Sequence, residues 1–497
     1  MRHLTINTRG MIRLTALLAL MAGFTSCKKY LEQPPDQRTE LTNEAKISEL
    51  LVSAYPSGNH ICFTEAMSDN ATDNLGAAQT DAYNTEPFFW RDVLETQQDS
   101  PDYYWNACYK AIAAANHALA AIEELGSNSK SFSAQRGEAL VCRAYAHFML
   151  VSLFAKIYDP ATADTDPGVP YVEKPETVVW GQYTRGTVAE VYEKIERDLL
   201  EGLPLIDDSK YKVPRYHFNR PAANAFAARF FLFKKDYVNA VKYASAAFPA
   251  DNWAANMRPW KTTYQDYSST ELGLNYVKSS ENANLLLAST VSRVARYFYR
   301  WRYNTSENLI KRILFNGYSS AAGSSVSFAY KTWYQTSFRG IYYVRKFSEH
   351  FVRTSINAST GTAYTMVPLF TTEETLLNRA EAYAMQDDFT NALKDLNLFL
   401  SNRIMNYNAN NHAVTVEKAK TFYNTDDARE AVVKAILDFK RAEFVHEGMR
   451  WFDVLRHGIE VVHTRSDGST MTLTKDDPRR VIQIPLEAAK MLGTNPR

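Results

Sequence analysis

Lys235-Asp236-Tyr237-Val238-Asn239-Ala240 and Asp387-Asp388-Phe389-Thr390-Asn391-Ala392 are one phrase written twice, 152 residues apart. The match extends over Ala222 to Phe248 and Glu374 to Leu400. There Ala228, Phe231, Tyr237 and Ala240 align with Ala380, Tyr383, Phe389 and Ala392. A small residue, an aromatic three later, a second aromatic six after that and then an alanine is tetratricopeptide spacing. The reason is packing: the small residue lets helix A approach helix B, and the aromatics fill the angle between them. Two units this far apart predict a mainly α, tetratricopeptide-like helical-repeat scaffold with a large insertion, rather than a regular solenoid.

Other stretches agree. Tyr104 to Leu125 is alanine-rich and reads as a long helix, and Ala134 to Phe154 carries Ala139, Cys142, Ala146, Leu150 and Leu153 at helical spacing. Thr187 caps a third helix, with Glu190 three residues on and Gly202 and Pro204 closing it. Residues 251–365 lose this periodicity and become rich in Ser, Asn, Gly and aromatics. Strand-like pieces are expected at Ala283 to Thr290, Ser324 to Ala329 and Gly340 to Arg345. A second irregular region spans about 56–102. Long irregular segments on a rigid scaffold are where function usually sits.

The start of the chain is basic (Arg2, Arg9, Arg13), then briefly apolar from Leu14 to Phe24, then small before Cys27. That pattern describes a secretory signal too short to span a bilayer comfortably. Phe24-Thr25-Ser26-Cys27 resembles a bacterial lipobox, so lipidation at Cys27 and removal of residues 1–26 are expected. Residues 27–40, with Pro34 and Pro35, form the tether. Three arginines and no acid leave with the signal, so 53 Lys+Arg remain against 55 Asp+Glu. That balance does not suggest an electrostatic nucleic-acid binder. Cys62, Cys108 and Cys142 have no Cys-x-x-Cys spacing; buried free thiols are expected at Cys108 and Cys142, with a single bridge as the alternative.

Candidate ligand-binding residues are those combining aromatic planes with polar groups in the irregular segments. They are Asp69 with Asn70 and Asn74, Trp90 with Arg91, Trp301 with Tyr303 and Asn304, and Trp333 with Tyr334. Sugars offer apolar C–H faces to ring planes and hydroxyls to Asn, Asp and Arg. Any one of these aromatics could equally be core of the insertion, burying 150–250 Å². Asp69 to Asn74 is oxygen-rich enough for calcium, yet lacks the alternating carboxylates and glycine of an EF-hand loop. No metal or other cofactor is expected. Glu443, Glu447, Arg450, Asp453 and Arg456 fall three or four apart, the geometry of structural ion pairs on a helix rather than a catalytic set. His446-Glu447-Gly-Met-Arg450 lacks a zincin's second histidine.

Nearly the whole mature sequence resembles the SusD/RagB family of nutrient-binding outer-membrane lipoproteins. The resemblance is carried by Cys27-Lys-Lys-Tyr-Leu-Glu-Gln-Pro-Pro35, Trp105 to Asn116, Gly137 to Phe148, Gly168-Val-Pro170 and Leu377 to Tyr383. Its most specific part is Arg441-Ala-Glu-Phe-Val-His-Glu447-Gly-Met-Arg450-Trp-Phe-Asp453-Val-Leu-Arg456-His-Gly458, followed by Ile484-Pro485 to Asn495-Pro496. Lys28 and Lys29 depart from the acidic residues common in surface-exported lipoproteins.

The resemblance implies four tetratricopeptide-like units forming the scaffold, packed against the irregular part that carries the ligand site; along the chain this divides into an N-terminal helical part at 41–250, a ligand-binding insertion at 251–365 and a C-terminal helical part at 366–497. It also implies a non-enzymatic lipoprotein on the outer membrane, facing the cell exterior. Such a protein captures oligosaccharide, or peptide in the RagB branch, and delivers it to a TonB-dependent SusC-type barrel. A surface glycosidase would need two carboxylates about 5–10 Å apart across a cleft, and no such pair stands out. A purely structural repeat scaffold is the remaining alternative.

Overall fold

The computed structural model describes residues 41–75, 79–126, 130–176, 181–324, 326–334 and 341–497. Cys27, the signal 1–26 and the tether 27–40 lie outside them.

Helices dominate. In chain order the main ones are α1 (Glu44–Leu51), α2 (Ile61–Met67), α3 (Ala82–Phe88), α4 (Pro101–Glu124), α5 (Ser133–Phe154), α6 (Val188–Gly202), α7 (Arg220–Phe233) and α8 (Tyr237–Ala247). After the insertion come α9 (Thr372–Ala384), α10 (Phe389–Ser401), α11 (Val416–Tyr423), α12 (Ala428–Glu443), α13 (Arg450–His457) and α14 (Leu486–Leu492). Their starts follow from the sequence. Ser100 accepts the Tyr103 N–H and Pro101 opens α4, while Thr187 and Glu190 form a reciprocal capping box on α6.

Small residues set the closeness of the helix pairs. A Cβ on Gly137 of α5 would lie 2.9 Å from the Gly202 carbonyl of α6, and one on Gly202 would lie 2.8 Å from the Gly137 carbonyl. The two repeats agree down to their turns. Lys235 and Asp387 both adopt positive φ (64° and 62°), and Asp236 and Asp388 each cap the next helix through the Asn239 and Asn391 N–H at 3.1 Å. Ala228, Ala240, Ala380 and Ala392 are buried, as the packing argument requires. Buried arginine–carboxylate clamps tie helices together: Arg143 of α5 to Asp198 of α6 at 2.6 Å, and Arg379 of α9 to Asp395 of α10 at 2.7 Å.

The insertion is more ordered than its composition suggests. It holds helices at Ser269–Asn275 and Glu307–Ile313 and an antiparallel sheet in which Gly361–Thr371 runs between Asn284–Val291 and Glu349–Arg353. The strands are β1 (Thr72–Asp73), β2 (Asn284–Val291), β3 (Tyr303–Asn304), β4 (Trp333–Tyr334), β5 (Tyr342–Tyr343), β6 (Glu349–Arg353), β7 (Gly361–Thr371), β8 (Val461–Thr464) and β9 (Thr470–Leu473). The expected strand at 283–290 is β2, and β5 falls within 340–345. Residues 324–329 form only a bridge, Phe328 to Ile404, among the described residues. β7 runs past residue 365 and delivers the chain to α9, where Thr371 caps the helix through the Glu374 N–H. One apolar cluster extends from Ile47 through Phe226 and Phe370 to Leu455, so insertion and scaffold share a core. Cys62, Cys108 and Cys142 are buried free thiols, and burial pushes each pKa up.

Candidate ligand-binding face

The stretch Arg293-Val-Ala-Arg-Tyr-Phe-Tyr-Arg-Trp-Arg-Tyr-Asn304 folds as one helical turn, a 3-10 turn and a short strand. Its side chains divide by burial. Val294, Ala295, Phe298, Trp301 and Tyr303 go into the interior, while Arg293, Arg296, Tyr297, Tyr299 and Arg300 stay partly exposed. The segment is pinned at its start by Asp99, whose carboxylate accepts the Ser292 hydroxyl and the Arg293 N–H. Burial pushes Asp99 up to about 6.

Two of the sequence-derived groups meet in space. β1 pairs with β3, placing Thr72 opposite Asn304 and Asp73 opposite Tyr303, and Asn74 Nδ2 donates to the Asn304 carbonyl at 2.9 Å. Their side chains, however, are committed to the interior. Trp301 is 1% exposed and donates its indole N–H to Asp81 at 2.9 Å; Tyr303 stacks on Phe88 at 4.3 Å; Asn304 Nδ2 donates to the Phe298 carbonyl. Asn70 is buried between Glu65 and Arg441. Trp90 donates to the Met67 carbonyl and stacks on His463 at 4.5 Å. Asp69 receives both Arg450 and Arg441; burial alone would raise its pKa, and the two guanidinium groups hold it well below the carboxylate range. Asp73 is held by Arg302 at 2.6 and 2.9 Å, so both carboxylates of the oxygen-rich loop face arginine. No group of metal-ligating side chains occurs among the described residues.

The remaining three candidates stay accessible. Arg91 is exposed beside Glu86 and over the Phe89 ring. Trp333 and Tyr334 form β4, with Tyr343 and Tyr342 of β5 directly opposite. Tyr334 is 43% exposed and meets Tyr342 at 5.0 Å. The same ribbon backs the exposed side of the 293–304 stretch, because Tyr343 stacks on Tyr299 at 5.3 Å and 24°. Arg300 and Arg345 both lie over the Tyr299 ring, at 5.6 and 5.8 Å. Lys331 sits over Trp333 and Lys311 over Tyr342. The partly exposed rings of Tyr299, Trp333, Tyr334 and Tyr342, backed by the buried Tyr343 and accompanied by cationic side chains, are thus gathered from three segments of the insertion.

Tyr299, Tyr342, Tyr343, Arg300 and Arg345 were not among the residues singled out from sequence. Their signal was the aromatic density between Tyr297 and Tyr343. Choosing the tryptophans within it favoured the rings with most to gain from burial.

A groove of about 1010 Å³ lies elsewhere, between α1, α4, residues 170–176 and α14. Leu50, Ile112, Val172 and Met491 line it, and its Tyr109 hydroxyl is already bonded to the Pro170 carbonyl. Trp105, Tyr183, Asn106 and His117 also line it, so it mixes aliphatic, aromatic and polar side chains.

The scaffold is that of a helical-repeat protein, and the aromatic face is its candidate ligand site. A family model described as SusD family matches residues 242–490, and one described as starch-binding associating with outer membrane matches residues 29–232. The chain belongs to the SusD/RagB family. A putative sugar-binding protein from Bacteroides vulgatus is similar in structure, with a TM-score of 0.67 at 20% identity over 92% of this chain and 99% of that one. A SusD superfamily protein from Bacteroides thetaiotaomicron gives 0.65 at 19%, over 91% and 99%. A SusD-like carbohydrate-binding protein from Bacteroides vulgatus gives 0.63 at 15%, over 90% and 97%. At these identities the likeness shows the fold. No curated protein matches the sequence.

Proposed function

We propose that this protein captures oligosaccharide at the outer membrane on the face built by Tyr299, Tyr343, Trp333, Tyr334 and Tyr342, without turning it over. The observation that carries this reading is the Tyr299–Tyr343 stack, with Trp333 on the adjoining ribbon and guanidinium groups at its edge. Tyr343 is itself buried and backs Tyr299, so the planes offered to sugar C–H faces are those of Tyr299, Trp333, Tyr334 and Tyr342, and arginines donate to hydroxyls in a fixed fork. Family membership and the sugar-binding descriptions of two similar structures support a carbohydrate cargo. The carboxylates at the edge of the face do not form a free acid–base pair: Asp81 accepts the Trp301 indole and Glu349 is bound to Arg296.

In this account Cys27 carries the lipid, and the captured glycan passes to a SusC-type, TonB-dependent barrel. No helix among the described residues is long and apolar enough to cross a membrane, so the lipid would supply the attachment. Trp301, Tyr303 and Asn304 are the buried residues of the stretch that carries Tyr299, with Asn74 bonded to it, whereas Asp69, Asn70, Trp90 and Arg91 are engaged with Arg450, Arg441, His463 and Glu86 and are not part of the face. Peptide is the second cargo reading, favoured by the arginines along the same stretch. Calorimetric titration of the purified protein with a panel of soluble glycans and a peptide pool tests the proposal. Saturable glycan binding without release of reducing ends is expected; binding to peptides alone, or sugar release, would overturn it.

A further inference from the structure

The arginines on this face are not all spent on structure. Residues 293–302 contain four arginines and no acidic residue. Arg296 is neutralised by Glu349 and Arg302 by Asp73. Arg293 lies beside Asp99 and donates to the Tyr83 hydroxyl at 3.0 Å. Arg300 and Arg345 have no carboxylate within ion-pair distance among the described residues, and Arg300 Nε is buried with no hydrogen-bond partner. Arg345 donates only from Nε, to the Phe347 carbonyl at 3.3 Å. Both guanidinium groups sit within 6 Å of the centre of the Tyr299 ring, which Tyr343 backs.

Two half-buried cations without counter-charge, gathered over one tyrosine ring, are a costly arrangement unless an anion completes it. The chain as a whole is almost neutral, so this local excess is not a by-product of a basic protein.

We infer that the glycan captured here is anionic, with a carboxylate or sulfate group engaging Arg300 and Arg345 while its ring stacks on Tyr299. This rests on the glycan-capture reading above and narrows its substrate class. Planar guanidinium groups bind such oxyanions through paired, charge-assisted hydrogen bonds, and a neutral sugar leaves them unmatched.

The test is calorimetric titration of the full-length protein with polygalacturonate, dextran sulfate, neutral amylopectin and poly-L-glutamate, at low and high salt. The double variant Arg300→Gln/Arg345→Gln is measured beside it. Neither residue holds an ion pair, so this variant should melt no lower than the parent. Expected is tight binding of an acidic glycan, weakened by salt and by about tenfold per guanidinium removed. Polygalacturonate alone would identify a carboxylate, and dextran sulfate alone a sulfate. Amylopectin bound as well as the acidic polymers, and equally by the double variant, would overturn the anionic inference while leaving glycan capture standing. Binding of poly-L-glutamate alone, or of no polymer, would overturn both.

Discussion

Trp301 and Tyr299 are two residues apart, yet the fold assigns them different work. Trp301 is an interior ring with its N–H bonded to Asp81 and its edge against Tyr83. Replacing it by alanine should cost about 3–5 kcal/mol of stability, read from urea unfolding. Tyr299 is partly exposed, stacked on Tyr343 with two guanidinium groups over its ring, so Tyr299→Ala should cost clearly less stability than Trp301→Ala and weaken glycan binding by about 1–2 kcal/mol. Loss of stability in the Tyr299 variant with intact binding would reverse the assignment. The sequence marks both as aromatic in an irregular segment and cannot say which faces inward. The 3-10 turn at Phe298–Arg300 decides that, and its register is set by β3 pairing with a strand some 230 residues earlier.

At the scale of elements, buried charge joins the insertion to the scaffold. Arg403, just beyond α10, is fully buried between Glu443 at the end of α12 and Glu373 at the start of α9, at 2.7 and 2.9 Å. Glu373 also accepts the Arg258 N–H from the insertion at 2.6 Å. Arg403→Ala leaves two buried carboxylates uncompensated and should cost about 3–5 kcal/mol, whereas Arg403→Met with Glu443→Leu should cost less. Equal losses in the two variants would contradict that account. The helix pairs were legible because their spacing, caps and small residues are local. The stretch 441–458 was legible as an ion-pair cluster but not as to partners. Within it only Asp453 and Arg456 pair as helix neighbours. The helix breaks between Glu443 and Arg450, where His446 and Gly448 have φ of 74° and 73° and both N–H groups donate to Glu65. Glu443, Glu447 and Arg450 therefore reach Arg403, Lys346 and Asp69, partners that no local spacing reveals.

The whole molecule should answer to pH through its buried histidines. Burial holds His60 and His147 down at about 3, with Arg229 adding to the effect at His60. The unfolded chain takes up these protons near pH 6.5 and the folded chain does not. Stability should therefore fall on acidification below 6.5, by about 1.4 kcal/mol per pH unit for each histidine. Asp99 opposes this, since the folded state binds its proton near 6 rather than at 3.8, favouring the fold as pH drops between those values. Urea midpoints measured from pH 7 to 4 should decline, and Asp99→Asn should steepen the decline. A flat profile would mean these histidines are solvated. The central claim, that glycan is captured on the aromatic face, is tested most directly by hydrogen-exchange footprinting with a glycan bound. Protection is predicted at 297–303, 333–334 and 341–345. Protection confined to 105–117 and 487–492, which line the groove between α1, α4 and α14, would contradict it.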